Sequence, residues 1–153
     1  MGEGNLSTLP AWAAELLETG RVARLGLLDD ADRPRVLPVT FALAAGAVWS
    51  AVDDKPKRVP GPELARVRFL RRRPQAALGV DRYDDDWSQL AWVQVLGTVD
   101  VVEVAAGRPG MEALAAKYPP YRDRTPAGPL LRLTPIRALC WRATEGAGRD
   151  GGA

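Results

Sequence analysis

The sequence predicts a single, mainly β domain: a small antiparallel barrel of six strands covered by short helices. Apolar segments of strand length recur along the chain, separated by turns rich in Asp, Gly and Pro or by helical patterns. One helical pattern follows the third strand and another precedes the last, as expected for a closed sheet with helical covers. At 153 residues the chain is long enough for one sizeable core and short for two domains.

The N-terminal third predicts a helix followed by a three-stranded meander. Residues 8–19 form the helix, with Pro10 near its first turn and Gly20 just past its end. The strands follow at residues 21–28, 35–43 and 47–52. The Asp and Pro content of residues 29–34 is typical of a hairpin loop, and the turn before the third strand is short enough to continue the meander.

The rest of the chain alternates helices and strands. In the predicted strand at residues 91–103, Val93 and Val95 alternate with polar residues, and Gly97 marks a bulge or bend. The other predicted segments are a helix at 62–73, a strand at 75–83, a helix at 110–118, a Pro-rich loop at 118–129 and a strand at 130–142. The domain therefore covers residues 1–144, and the Gly-rich segment 145–153 is expected to be a disordered tail.

The chain contains no histidine, which excludes several kinds of site. A Ser-His-Asp triad, a Cys-His dyad and a histidine ligand for zinc or haem iron are all impossible. The single cysteine, Cys140, is expected to be a small buried hydrophobe. Asp84, Asp85 and Asp86 are interpreted as a solvated turn in preference to a metal site. If the protein is an enzyme, we expect an organic cofactor to carry the chemistry.

Charge and hydropathy argue against nucleic-acid and membrane partners. The net charge is only +2 and the arginines are mostly scattered among acids, so no extended basic surface is evident. The arginines of residues 66–73 surround an apolar stripe and are interpreted mainly as solvated surface. No apolar run reaches the length needed to span a bilayer, and the N-terminus lacks the pattern of a signal peptide, so we expect a cytoplasmic protein.

A basic turn follows the predicted third strand and suits a phosphate group. The sequence AVWSAVDDKPKR ends in Lys55, Lys57 and Arg58, and the only other lysine of the chain is Lys117. An ammonium is a compact charge that can follow a phosphate oxygen. The alternative interpretation is a solvated surface turn, since charge runs are commonly solvated.

Four tryptophans need a structural interpretation. Trp49, Trp92 and Trp141 lie on predicted strands, where a core or subunit-interface position is expected before a ligand platform. Trp87 lies in the polar segment DDDWSQL. An exposed indole at that position would be explained by a partner subunit or a planar ligand.

The order of these motifs resembles the split-barrel flavin and deazaflavin oxidoreductases, the pyridoxamine 5'-phosphate oxidase-like (PPOX) proteins. The resemblance covers residues 21–141 and rests on the runs RVARLGLLDDADRPRVLPVTFAL, AVWSAVDDKPKR, LARVRFLRRRPQAALGVDRYDDDW and WVQVLGTVDVVE. It is nearest to the actinobacterial branch that uses coenzyme F420. The resemblance implies a six-stranded split barrel that forms a homodimer, with two cofactor sites at the subunit interface.

The resemblance also implies which residues contact the cofactor. The residues facing the cofactor ring and tail from the strands are Pro38, Val39, Thr40, Ser50 and Ala51. The residues binding the phosphate and acidic tail are Lys55, Lys57 and Arg58. The residues closing the site from the partner subunit are Trp87, Trp92 and Gln94.

The activity implied is hydride transfer from reduced coenzyme F420 to a small organic acceptor such as an enone or a quinone. Two alternatives stay open: an FMN-dependent oxidoreductase of the same fold, and a cofactor-binding dimer without catalysis. Pyridoxamine phosphate oxidation and haem degradation are disfavoured because both relatives use histidine. No side chain stands out as an obligatory acid, and Tyr83 or a bound water is a candidate proton donor. The substrate itself is not identified by the sequence.

Overall fold

The computed structural model describes residues 2–52 and 64–146. Within these residues the chain forms eight strands: β1 (Gly2–Gly4), β2 (Ala23–Leu28), β3 (Pro34–Val39), β4 (Ala42–Ala44), β5 (Ala47–Ala51), β6 (Gln75–Arg82), β7 (Ala91–Val102) and β8 (Leu130–Arg142). The helices are α1 (Ala11–Thr19), α2 (Ala65–Arg72), α3 (Arg108–Lys117), α4 (Pro119–Asp123) and α5 (Ala143–Gly146), with 3₁₀ turns at Leu6–Thr8 and Trp87–Gln89. No helix among these residues is long and apolar enough to cross a bilayer.

The strands form one antiparallel sheet, in the order β3-β2-β6-β7-β8-β5-β4. The N-terminal part of β8 pairs with β5, and the short β1 pairs with Cys140, Leu139 and Ala138 further along β8. The mainly β antiparallel prediction is confirmed, but the count of six strands is wrong. The structure divides the predicted strand 35–43 into β3 and β4 and adds β1, a three-residue strand too short to show a period in sequence.

The short connection between β3 and β4 shows that the sheet is closed. These strands lie at opposite ends of the seven-strand path, yet only Thr40 and Phe41 separate them in sequence. A flat sheet would hold them about 29 Å apart, whereas the three Cα steps from Val39 to Ala42 span at most about 11 Å. The sheet must therefore curl on itself, with a sharp bend at Thr40 and Phe41.

A β-bulge at Gly97 accompanies this curvature. The register between β7 and β8 shifts between Leu96 and Gly97. A Cβ atom at Gly97 would collide with the carbonyl oxygen of Thr134 on the neighbouring strand, so only glycine allows this approach. The predicted bulge or bend at Gly97 is confirmed.

Apolar side chains pack into two clusters on opposite sides of β5. The barrel interior takes Val48 together with Leu25, Val93 and Cys140, so the buried position predicted for the cysteine is confirmed. The second cluster packs Trp49 against α3, and the Trp49 indole N–H donates to the carbonyl of Ala44 at 3.0 Å. Gly110 lies so close to the Trp49 ring that a Cβ atom would overlap it. Trp49 is therefore a core residue, as expected.

The hairpin between β2 and β3 anchors α2. Its turn, predicted from residues 29–34, is confirmed, and Asp32 adopts a positive φ of 60° there. Arg68 and Arg72 pair with Asp30, and Arg73 pairs with Asp32 at 2.9 Å. Much of the arginine-rich helix therefore serves to hold the acidic turn.

The helix boundaries differ from the predicted ones for local reasons. α1 begins at Ala11, because Asn5 caps a separate 3₁₀ turn and Pro10 takes the position before the helix. The segment 118–129 was expected to be a loop, but prolines at the first turn of α4 start a short helix at Pro119–Asp123. Lys55, Lys57, Arg58 and the tail from residue 147 lie outside the described residues.

Candidate functional site

One part of the predicted site lies on the outward surface of the sheet. Cross-strand pairing places Pro38 beside Arg24, Arg24 beside Gly79, and Gly79 beside Gln94. Directly paired residues point to the same side of a sheet, so Pro38 and Gln94 share one face, about 14 Å apart across three strand spacings. We define the outer sheet face by the following residues: Arg24, Gly26, Val36, Pro38, Ala77, Gly79, Trp92, Gln94 and Leu96.

The outer sheet face is open and floored by small residues. A groove of about 320 Å³ lies over Gly26, Val36 and Ala77. A Cβ atom at Gly79 would meet nothing within 4 Å, and the Val36 side chain is 70% exposed. Trp92 is half-buried and pairs directly with Trp141 on β8. The face can therefore accept a flat or apolar group without repacking.

Ser50 and Ala51 lie on opposite sides of β5. The Ser50 side chain points, with Val48, toward a barrel cavity of about 10 Å³, and Ala51 belongs with Trp49 to the cluster under α3. Successive side chains of a strand point to opposite faces, so these two side chains cannot line one surface. Ser50 is 6% exposed, and its Oγ atom has no hydrogen-bond partner among the residues that the structure describes. A buried unpaired hydroxyl is uncommon and calls for an explanation.

Two tyrosines hold the bend that contains Thr40. The Thr40 Oγ1 and Tyr121 hydroxyl oxygens are 2.6 Å apart, and the Phe41 backbone N–H donates to the Tyr118 hydroxyl at 3.1 Å. The Tyr118 hydroxyl in turn donates to the carbonyl of Arg21 at 3.0 Å. Val39, one residue earlier, is buried in the barrel interior. Thr40 is therefore held by Tyr121 of α4, and the next residue, Phe41, by Tyr118 at the junction of α3 and α4.

Sequence reasoning missed Tyr118 and Tyr121. Both lie in YPPY, which was interpreted as a loop and given no partner. The signal available in sequence was the pair of prolines between the two aromatics, which starts a new helical turn and directs both rings back toward the sheet. The rings contact each other edge to face, with centroids 5.7 Å apart.

Lys117 lies beside the same bend, and its pKa is lowered. Its Nζ atom is 3.7 Å from the centroid of the Phe41 ring and donates to the Leu17 carbonyl at 3.4 Å. Burial, together with the positive charge of Arg21, lowers the pKa of Lys117 from its ordinary 10.5 to about 8, against an opposing effect of Glu18. Burial also raises the pKa of Tyr118.

The acidic loop between β6 and β7 is exposed. Trp87 is 69% exposed, as its polar surroundings indicated. Asp84 and Asp86 accept hydrogen bonds from nearby backbone N–H groups, and the Tyr83 hydroxyl donates to Asp85 at 3.2 Å. No group of three potential metal ligands occurs among the described residues. The aspartates therefore organise a turn, and Tyr83 lies in an aqueous environment.

The curled antiparallel path and its helical covers are shared with several solved structures. The structure aligns with a conserved hypothetical protein from Mycobacterium tuberculosis (TM-score 0.74, 17% identity, 95% of this chain and 91% of that chain). It aligns with a FAD-binding protein from Mesorhizobium loti (TM-score 0.60, 17% identity, 92% and 97%). A Clostridium acetobutylicum protein related to general stress protein 26, of the pyridoxinephosphate oxidase family, also aligns (TM-score 0.61, 17% identity, 87% and 87%).

These structural similarities establish the fold and leave the activity open, because the sequence identities are only 17%. No protein-family model matches the sequence, and no curated protein sequence matches it.

Proposed function

We propose that the chain is a coenzyme F420-dependent oxidoreductase that transfers a hydride between the deazaflavin and a small organic acceptor such as an enone or a quinone. One observation carries the proposal. Pro38, Trp92 and Gln94, assigned to the cofactor by resemblance, lie together on the open outer sheet face. The fold that presents them is shared with a FAD-binding protein and with a member of the pyridoxinephosphate oxidase family.

The described residues fit a flat tricyclic cofactor. Gly26, Ala77 and Gly79 leave room over the sheet for a planar ring. Arg24 adds a positive charge on the same face, oriented by Asp81 at 3.4 Å. When bound, the reduced deazaflavin would supply the hydride. The protein would orient the acceptor beside the ring and exclude water.

The proposed site is completed by a second copy of the chain. Val36 and the groove beside it leave apolar surface exposed on the outer sheet face, and surface of this kind commonly marks an interface. We propose a homodimer in which Trp87, Trp92 and Gln94 of one subunit close the site of the other. The exposed Trp87 indole would then be covered on association.

The phosphate and acidic tail of the cofactor would bind to Lys55, Lys57 and Arg58, which lie outside the described residues. β5 leads directly into this segment. Each charge-assisted contact contributes about 1.5 to 3 kcal/mol. Loss of two of them would weaken binding by roughly two orders of magnitude or more.

Quenching of tryptophan fluorescence by F420, and separately by FMN, tests the proposal. We expect preferential binding of F420 that collapses in the Lys55→Ala, Lys57→Ala double variant. The charge-matched control is Arg71→Ala, Arg122→Ala, which removes two exposed arginines and should leave affinity unchanged. Binding of neither cofactor by the unmodified protein would contradict the proposal.

The FMN alternative is separated by the salt dependence of binding. Several exposed anionic groups on a polyglutamyl tail are screened by added ions, so F420 affinity should fall more steeply with salt than FMN affinity. Bound reduced cofactor is then mixed with a panel of enones and quinones. Failure of every acceptor to reoxidise it would favour the non-catalytic dimer.

A further inference from the structure

A groove of about 500 Å³ separates the C-terminal ends of α1 and α3 and is independent of the outer sheet face. Its lining residues are Glu18, Thr19, Ala42, Leu43, Ala113, Ala116 and Lys117. Most of this lining is alanine and leucine, with one carboxylate, one amine and the Thr19 hydroxyl, which donates to the Glu15 carbonyl at 2.8 Å. The groove is therefore roomy, mainly apolar and equipped with a single amine.

The amine of Lys117 is held in place rather than free in solvent. Its carbon chain is half-buried, and Nζ lies between the Phe41 ring at 3.7 Å and the Tyr118 ring at 5.6 Å. The Leu17 carbonyl accepts its hydrogen bond. No carboxylate forms an ion pair with Nζ in the part of the chain that the structure describes.

The surroundings disfavour the protonated amine. Burial acts most strongly and Arg21 adds repulsion, whereas Glu18 and the Phe41 and Tyr118 rings act in the opposite direction. Arg21 is fixed by its contact with the Tyr118 ring at 4.7 Å and by donation to the Lys117 carbonyl at 3.1 Å. A reaction that makes Nζ permanently neutral removes both the burial cost and this repulsion.

We propose that Lys117 is an acylation site, and that the groove beside it admits small acyl phosphates. The neutral amine attacks the carbonyl carbon, a C–N bond forms, the C–O bond to phosphate breaks, and inorganic phosphate leaves. The proton of the attacking nitrogen passes to water. The product is an amide, whose short acyl chain fits against Ala113 and Ala116.

Acetyl phosphate at pH 8 tests the site, with acetylation at each lysine followed by peptide mass spectrometry. The chain has only Lys55, Lys57 and Lys117, so every site can be followed in one digest. About half of Lys117 is neutral at this pH in the folded protein. A lysine with the ordinary pKa of 10.5 is only about 0.3% neutral at pH 8, so the neutral fraction alone predicts an initial rate at Lys117 on the order of 100-fold higher in folded than in urea-unfolded protein. A ratio of one or less would overturn the proposal.

Two groove variants separate access from basicity. Ala116→Phe narrows the groove from an exposed helix position and should slow butyrylation by butyryl phosphate more than acetylation, whereas Ala65→Phe on α2 should change neither. Glu18→Gln removes the opposing carboxylate and should increase the acetylation rate at pH 7. Equal rates in Ala116→Phe and the unmodified protein for both reagents would show that acyl groups do not enter through the groove.

Discussion

At the scale of single residues, Ser50 combines burial with a hydroxyl that has no hydrogen-bond partner in the described part of the chain. An unsatisfied buried polar group costs about 1 to 3 kcal/mol. Ser50→Ala should therefore raise the free energy of unfolding of the cofactor-free protein by about 1 kcal/mol, after allowance for a slightly larger cavity. Urea denaturation measures the change. A loss of stability would instead indicate that Oγ has a partner such as an internal water.

The affinity of the same Ser50→Ala variant for F420 tests whether Ser50 belongs to the cofactor site. A destabilising polar group that persists in a core is often kept for its role in a functional site. If Ser50 contributes to the cofactor site from within the barrel, Ser50→Ala will bind F420 more weakly while being more stable. A gain in the stability of Ser50→Ala with unchanged affinity for F420 would remove Ser50 from the set of site residues.

Asp29 should make the hairpin turn sensitive to acid. Its carboxylate is buried and accepts hydrogen bonds from the backbone N–H groups of Arg33 and Ala31 at 3.0 and 2.9 Å. The Arg33 backbone bond is the main cause that lowers the pKa of Asp29 below 3.8, and burial opposes it.

Because the folded-state pKa is depressed, the unfolded chain binds the proton more tightly. The stabilisation is therefore present at neutral pH and is lost as pH falls below about 4 and through the lower folded-state value. Asp29→Asn should be less stable at neutral pH and show a flatter acid limb in urea titrations at several pH values. The control Asp123→Asn replaces an exposed carboxylate on α4 and should leave the free energy of unfolding at neutral pH nearly unchanged.

At the scale of elements, two glycines in adjacent strands have opposite roles. Gly97→Ala places a methyl group against the Thr134 carbonyl and should lower the free energy of unfolding by about 2 to 3 kcal/mol. Gly79→Ala, in β6, enters open space and should change stability by less than about 1 kcal/mol. Thermal and urea unfolding compare the two. Equal losses would show that the bulge does not require glycine.

The bend between β3 and β4 depends on the hydrogen bond between Thr40 and Tyr121. A double-mutant cycle of Thr40→Val and Tyr121→Phe should give a coupling energy of about 1 kcal/mol, since the 2.6 Å contact is part-buried. Both variants keep the side-chain shapes. Additive effects of the two substitutions would mean that the bend is held by packing alone.

The elements differ in how well sequence predicted them, for physical reasons. β7 was predicted within one residue because its length and period of two are carried by local side chains. The break after Val39 was missed because it is imposed by closure of the sheet and by tyrosines some 80 residues away. Trp49 lies in an apolar segment of the sequence and Trp87 in a polar one, so the burial of Trp49 and the exposure of Trp87 could be predicted.

The site was less predictable than the fold. Pro38 and Gln94 lie on the same face because of the order and register of the strands between them. Neither the β3 nor the β7 sequence determines that order and register by itself. In contrast, the period of two along a strand already implies that the neighbouring side chains of Ser50 and Ala51 point to opposite faces of β5. The sequence alone could therefore have shown that they do not line one surface.

At the scale of the whole molecule, the elements in residues 2–52 and 64–146 leave the outer sheet face of the barrel uncovered. α1 and α2 contribute Leu17 and Leu70 to the barrel interior, and α3 covers Trp49 on the far side of β5. The outer sheet face retains exposed Val36 and the small residues Gly26 and Ala77. In an isologous dimer the same patch would meet its copy, and the proposed cofactor site would lie between the two subunits.

A charge on this face should therefore disrupt the proposed dimer without disturbing the subunit. Val36 is largely exposed in the single chain, so Val36→Glu should leave the unfolding of the isolated subunit nearly unchanged. In a symmetric dimer it would place two carboxylates near one interface and desolvate both. We expect sedimentation at the dimer mass for the unmodified protein and at the monomer mass for Val36→Glu. Cofactor affinity should be lost together with the dimer.

The control Ala65→Glu adds the same charge on exposed α2, away from the outer sheet face, and should remain dimeric. The dimer mass tests the interface, and a loss of affinity is attributed to dissociation only where the mass falls with it, because Val36 also borders the proposed cofactor groove. A monomeric unmodified protein that still binds F420 would show that one subunit contains the whole site. A Val36→Glu dimer with intact affinity would place the interface elsewhere on the barrel, and Trp87 would then need a different explanation for its exposure.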